Sequence, residues 1–335
     1  MNKQRLLIIH HGALGDVITT FPALLRLRRS FGSIDALLRD ELGKLAAELK
    51  VVDRWFALET AAFASLYAGS VDPAVKSLLC AYGSIVLFSF SRKLQETINK
   101  ITGKKIHLIP PRPDVDQNIH VTSHIAANLA KRGMIDDTDN DLDSLFFSKV
   151  FSGRRDRGYD PVKVLIHPGS GSRKKNWEAA NFIETATILI SNGYTPEFIL
   201  GPAEHFMAES LQAQGDDKIK IRIFDDLLEL TLLLKKAGGF IGNDSGISHL
   251  AAFLGLPTIA VFGPSDPQRW KPVGRFVKTV RPGLDCRPCF EKGGVNCETT
   301  ECLHSTTPAM VIDAFYRMAG KEGNPSIKSK CFFLQ

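Results

Sequence analysis

The sequence predicts an α/β protein made of two domains, each with a mostly parallel sheet. Strand-like and helix-like runs alternate through both halves of the chain. At 335 residues the chain is longer than one core usually organises. The charged, glycine-bearing stretch Ser152 to Pro161 separates the halves and ends at a proline that stops regular structure. The boundaries that follow are residues 1–155 and 160–325, with the last helix free to pack back on the first domain.

In the first half, Arg5–Ile9, Ile34–Leu38, Ile85–Phe90 and Lys105–Ile109 are apolar and β-branched enough to read as strands. Glu41–Leu49, Pro73–Ala81, Arg92–Ile101 and Val121–Arg132 read as helices between them. Pro22 sits where the first helix should run, so a kink or a delayed start is expected. Asp136 to Asp143 reads as a polar loop. The second half opens with strand Val162–His167. Helix 178–192, strand 195–200, helix 203–213, strand 219–224, helix 226–237 and strand 239–242 follow. A tight turn, a short helix and strand 258–262 come next, and helix Pro308–Met318 precedes a polar tail expected to fray.

Composition narrows the function. The 44% apolar and 23% charged content is that of an ordinary soluble protein, and no run is long enough to span a bilayer. The amino terminus enters Leu6-Leu7-Ile8-Ile9 directly, with no signal-peptide apolar region or cleavage site, so a cytoplasmic location is expected. Residues 1–133 carry 18 Lys and Arg against 11 Asp and Glu, whereas the rest carries 24 against 25. The basic half, with clusters at Arg26, Arg28, Arg29 and at Arg92, Lys93, Lys100, Lys104, Lys105, Arg112, suits an anionic partner; solvated helix faces are the plainer reading. The basic half is not the cysteine half, and no basic motif is interleaved with aromatics, so a nucleic-acid partner is not expected.

Three strand-to-helix turns carry the chemistry. His10-His11-Gly12-Ala13-Leu14-Gly15-Asp16 follows the first strand, at the carboxyl end where open α/β sheets bind ligands. Asp16 reads either as a first-turn carboxylate that complements the helix dipole or as a general base. Gly12-x-x-Gly15 lacks the dinucleotide spacing, Asp35 is discounted as a ribose ligand for that reason, and no phosphate-loop ATPase motif occurs. The second turn, His167-Pro168-Gly169-Ser170-Gly171-Ser172-Arg173-Lys174-Lys175-Asn176-Trp177, offers a hydroxyl at Ser170 and three cations, a set that fits a phosphate. In the third, Gly242 to His249, Asp244 and Ser245 are good helix caps and Gly246 lets a ligand approach the backbone. A helix start of this kind favours an anion such as a diphosphate, and His249 falls one turn in.

Taken jointly, these motifs resemble the ADP-heptose:lipopolysaccharide heptosyltransferases, glycosyltransferase family nine. The resemblance runs over roughly residues 5–320 and rests on Gly12 to Val17 with Phe21-Pro22-Ala23-Leu24, His167-Pro168-Gly169 through Asn176-Trp177, Gly242 to Ala252, Gly255-x-Pro257 and Phe262 to Pro267. It implies a GT-B fold: two Rossmann-like domains facing across a cleft, with the acceptor on the first and the nucleotide-sugar donor on the second. It implies inverting transfer with Asp16 as the catalytic base beside Gly12 and Gly15. It places donor-binding roles on Ser170, Lys175, Asp244, Ser245, Gly246 and His249; one inserted residue leaves Lys174 possible in place of Lys175. The implied partners are an ADP-sugar and an anionic lipopolysaccharide core, with peripheral contact to the inner membrane. Another nucleotide-sugar, used for O-antigen, capsule or protein glycosylation, stays open. A nucleotide-sugar 2-epimerase shares the two-domain plan, but its catalytic acids have no counterpart here.

Cys286, Cys289, Cys297 and Cys302 lie close in sequence and invite a Zn²⁺ reading. The gap between the pairs is short and irregular for a zinc ribbon. The expectation is therefore reduced thiols in a late loop, with no metal and no cofactor.

Overall fold

In the computed structural model, residues 4–68, 71–136, 158–214, 219–291, 297 and 300–318 are described. The chain divides into two compact units, Met1–Val150 and Phe151–Gln335. Residues 137–157 lie outside the described set, and with them most of the predicted acidic loop and of the Ser152–Pro161 boundary segment; so does the tail after Met318.

The first unit is built on a five-stranded parallel sheet of order β3-β2-β1-β4-β5. Its strands are β1 (Arg5–His10), β2 (Ser33–Leu38), β3 (Arg54–Ala57), β4 (Ser84–Phe88) and β5 (His107–Ile109). β1 is central and buried on both faces, which explains its unbroken apolar run. Helix α1 (Leu14–Leu27) starts without delay and runs through Pro22, although a proline there cannot donate to the Ile18 carbonyl. Packing explains the difference from the predicted delayed start: Val17 to Leu24 are all buried, and α1 packs on helix α6 (Val121–Ala130). Five helices cover the rest of the sheet and its edges: α2 (Asp40–Glu48), α3 (Ala61–Ala68), α4 (Pro73–Cys80), α5 (Arg92–Thr102) and α6.

The second sheet has six parallel strands in the order β11-β10-β9-β6-β7-β8. They are β6 (Asp160–His167), β7 (Thr195–Leu200), β8 (Lys220–Ile223), β9 (Ala237–Asn243), β10 (Thr258–Val261) and β11 (Val277–Val280). The main helices are α7 (Ala179–Ser191), α8 (Ala208–Gln214), α9 (Leu227–Lys236) and α10 (Gly246–Phe253). The predicted helix 203–213 begins instead as a 3₁₀ turn, Pro202–Met207. The last described helix, Pro308–Met318, packs on α7 and on this second sheet; Val311, Ile312, Phe315 and Tyr316 join its core.

Strand order decides where ligands can sit. Each chain path starts in the middle of its sheet and later switches sides, between β1 and β4 in the first and between β6 and β9 in the second. The loops leaving such a pair diverge and open a crevice at the carboxyl ends of the strands. All three motif turns leave one of these strands: β1, β6 or β9.

Candidate active site

The two turns of the second unit meet at its switch point. Lys175 Nζ lies 3.1 Å from Asp244 Oδ2, joining the loop after β6 to the turn after β9. Lys174 is exposed and forms no such pair. Asn243 staples the two loops from below: its Oδ1 accepts from the Trp177 amide at 3.0 Å, and its Nδ2 donates to the Pro168 carbonyl at 2.7 Å. Trp177 is itself buried and donates through Nε1 to the Thr306 carbonyl at 2.8 Å. Ser170 turns its hydroxyl inward, toward Asn176 Oδ1 at 2.6 Å and the Ser172 carbonyl at 2.7 Å, and so shapes the loop that carries the cations.

The start of α10 is built as the sequence suggests. Ser245 is the N-cap, and its Oγ accepts from the Ser248 amide at 3.2 Å. A helix leaves its first N–H groups without partners inside it, so those of Gly246 and Ile247 remain free for a ligand; both residues are partly exposed. His249 is buried at the next turn. Positive dipole end, first-turn amides and the Lys175 ammonium together form a cradle whose chemistry favours an anion.

Three residues that sequence reasoning left without a role stand around this cradle. Asn243 lay inside the quoted motif, yet its part as a staple depends on the fold. Phe290 places its ring 5.3 Å from Lys175 Nζ, and its amide and that of Cys289 donate to the Pro264 carbonyl. Glu204 is buried against Gly169: a Cβ at 169 would collide with its carboxylate, which accepts from the Gly201 amide at 3.1 Å. His167 Nδ1 binds the Ile199 carbonyl at 3.0 Å, and burial lowers its pKa despite the opposing effects of that bond and of Glu204.

In the first unit Asp16 is half-buried in the first turn of α1. Its Oδ2 accepts from the Ala13 amide at 3.2 Å, and among the described residues it pairs with no cation. Ala13, the N-cap, has no oxygen to offer, so only half of a capping box exists. Gly12 lies between His10 and Asp16, while Gly15 is part of the same first turn. Asp35 serves elsewhere, as the buried hub of a cluster with buried Tyr82 and the more exposed Arg5 and Arg54. Burial alone would raise its carboxyl; the hydrogen bonds from Arg54, Tyr82 and Arg5 outweigh this and hold it lower. Tyr82 is pushed up to about 12 by burial and by its bond to Asp35.

An open groove of about 760 Å³ runs along the β5 edge. Arg92, Lys105, His107, Lys131 and Arg132 line it, against one acid, Glu96. Arg132 is held by the carbonyls of Leu108 and Asn128, both at 2.7 Å, rather than by a carboxylate. Burial lowers the pKa of His107, and the neighbouring Arg132 and Lys105 charges lower it further.

Cys286, Cys289, Cys297 and Cys302 are not joined in disulfides among the described residues and share one neighbourhood. Burial pushes the Cys289 and Cys302 thiols up, the other cysteines add to this, and Arg281 opposes it. Among the described residues no three His, Cys, Asp or Glu side chains are arranged to hold a metal ion.

Comparison with known proteins gives this geometry a family. The chain is 24% identical over 294 residues to lipopolysaccharide heptosyltransferase 1 of Salmonella typhimurium, an alignment covering 79% of this chain and 90% of that protein. It is 27% identical over 132 residues to lipopolysaccharide heptosyltransferase 1 of Pseudomonas aeruginosa, covering 39% of this chain but only 37% of that protein. The glycosyltransferase family 9 crystal structure from Veillonella parvula superposes with a TM-score of 0.73 at 19% identity, covering 95% of this chain and 98% of that one. The two parallel α/β units are thus of GT-B class. A family description, glycosyltransferase family 9 (heptosyltransferase), matches residues 89–299, and the chain belongs to that family of glycosyltransferases.

Proposed function

We propose that the protein is an inverting glycosyltransferase that moves a heptose from ADP-heptose to the inner core of lipopolysaccharide. The observation that carries this reading is the meeting of Lys175, Asp244 and the start of α10 at the switch point of the second sheet. In the reaction, the Asp16 carboxylate takes the proton of an acceptor hydroxyl as that oxygen attacks the anomeric carbon. The bond from the anomeric carbon to the diphosphate breaks on the opposite face, and its electron pair leaves on the phosphate oxygen. Lys175 and the amides of Gly246 and Ile247 meet the charge that grows there. Asp244, buried beside Lys175, keeps the ammonium aimed. Ser170, Ser245 and His249 complete the donor side, and Gly12 and Gly15 the acceptor side.

The acceptor in this reading is rich in phosphates and carboxylates. The groove at the β5 edge supports it, because its cations are not neutralised by acids among the described residues. The same surface suits peripheral binding at the inner face of the inner membrane. Among the described residues no helix is long and apolar enough to cross a membrane.

The test is release of free nucleotide from a panel of ADP-, GDP- and UDP-sugars, with and without deacylated lipopolysaccharide core. ADP-heptose with core should give the fastest release, and D16N should reduce it by about 10²–10⁴-fold with donor affinity unchanged. Full turnover in D16N would remove the general-base role. Core binding that does not weaken between low and high salt would remove the anionic-acceptor reading.

A further inference from the structure

We propose that His10 is a positioning residue for Asp16: its imidazole holds the Gly12 peptide and so fixes the turn that aims the carboxylate. This rests on the general-base reading of Asp16 given above.

His10 ends β1 with its side chain almost wholly buried, 2% exposed, against Phe88 of β4 at a ring separation of 5.3 Å. Its Nδ1 accepts from the Gly12 amide at 2.9 Å. That bond fixes the tautomer, because Nδ1 must be bare and the proton must sit on Nε2. Nε2 is buried and, among the described residues, has no hydrogen-bond partner. An orphaned buried donor is a cost that a phenylalanine of similar shape would not carry. Packing against Phe88 therefore does not account for an imidazole at this place, whereas the bond to Gly12 does.

Gly12 is packed between the two residues. A Cβ on it would collide with Cε1 of His10 and with Cβ of Asp16. Its carbonyl accepts from Arg39 Nη2 at 3.3 Å, so the peptide is gripped at both ends. The next amide, that of Ala13, is the one that donates to Asp16 Oδ2. Imidazole, Gly12 peptide, Ala13 amide and Asp16 carboxylate thus form one contiguous chain of contacts. Burial, reinforced by the His11 charge, lowers the His10 pKa to about 3, so this grip does not loosen across the working pH range.

The experiment compares turnover of ADP-heptose with deacylated core for the wild type, H10F, H10N, D16N and the double variant H10F/D16N. H10F keeps the packing and loses the acceptor. H10N places its Oδ1 where Nδ1 was. The expected result is a fall in kcat of about ten-fold to 100-fold in H10F, with the KM for ADP-heptose within about two-fold of wild type. H10N should recover to within about three-fold, and the double variant should be no slower than D16N, because a residue acting through Asp16 has nothing left to position. Both His10 variants should melt within a few degrees of the wild type. Wild-type turnover in H10F, failure of H10N to recover, or a further loss when H10F is added to D16N each overturns the assignment. If D16N is inactive and H10F is unimpaired, only the role of His10 fails. If D16N turns over normally, the general-base reading fails and takes this inference with it.

Discussion

Two helix starts, one in each unit, treat their carboxylates in opposite ways. After β9, Asp244 is buried, paired with Lys175 and followed by a serine cap that closes the turn. After β1, Asp16 is half-exposed, pairs with no cation among the described residues, and follows an alanine that cannot cap. A carboxylate locked to an ammonium is poor at taking a proton and good at holding a cation in place. A carboxylate that has only one amide to satisfy it keeps lone pairs free for an incoming hydroxyl. The same local motif, a strand running into a helix through an aspartate, therefore ties its carboxylate to a cation in one unit and, among the described residues, leaves it without one in the other, which is the contrast the proposed general-base role of Asp16 draws on. The deciding factor is the partner that the fold brings to it.

Removing that partner should give a large loss of turnover. Lys175→Ala strips the cradle of its partly buried cation and leaves buried Asp244 uncompensated. We expect kcat to fall by about 10²–10³-fold, while K174A stays within about two-fold. Nucleotide release under saturating donor measures both. Equal losses in the two variants would mean that the cradle is read wrongly and that the lysines act only as a diffuse positive field.

A third aspartate sharpens the contrast. Asp35 is fully buried beneath Arg5, Arg54 and Tyr82, so breaking that cluster leaves cations and a phenol without their hub. D35N should destabilise the fold by about 1–2 kcal/mol, seen as a shift in the urea midpoint, because the cations it leaves are solvent-exposed. Its pH dependence has a definite sign. The folded carboxyl is held below its unfolded value, so its contribution is present above the unfolded pKa and fades as pH falls through the folded one. The stability difference between wild type and D35N should therefore narrow on acidification from about pH 5 downward. A gap that stays constant to pH 2 would show that packing, not charge, holds the cluster.

Much of this was readable from residue order, and the remainder has physical reasons for being hidden. The central strands were legible because burial on both faces demands long apolar runs, as in Leu6-Leu7-Ile8-Ile9. The edge strands β3 and β11 were not: Arg54 and Trp55 are exposed, and Val277 to Val280 mixes polar and apolar positions over four residues. The delayed start expected at Pro22 did not occur because a local rule competes with packing that only the fold supplies. At the site, spacing alone pointed to Asp16, Ser245 and the basic loop, since each sits in a turn with recognisable chemistry. The resemblance put the role on Lys175 with Lys174 still possible, and the partner that sets Lys175 apart, Asp244, lies 69 residues away. Asn243, Glu204 and Phe290 were invisible for the same reason: their roles consist of contacts between segments distant in sequence.

The smallest predicted effect addresses the caps themselves. Ser245→Ala removes an oxygen that satisfies the Ser248 amide and should cost about 1 kcal/mol, read from the urea midpoint. Ala13→Ser does the reverse. Ala13 already has the extended conformation of an N-cap, with φ −71° and ψ 174°, so a serine there needs no backbone change. Its hydroxyl would complete the capping box with Asp16 and should stabilise α1 by a similar amount, about 1 kcal/mol. If the carboxylate works by being under-satisfied, that gain should come with slower turnover, because the first turn is then tied down by a second bond around Asp16. A variant that is both more stable and fully active would show that the missing cap at Ala13 has no bearing on the reactivity of the acid three residues on.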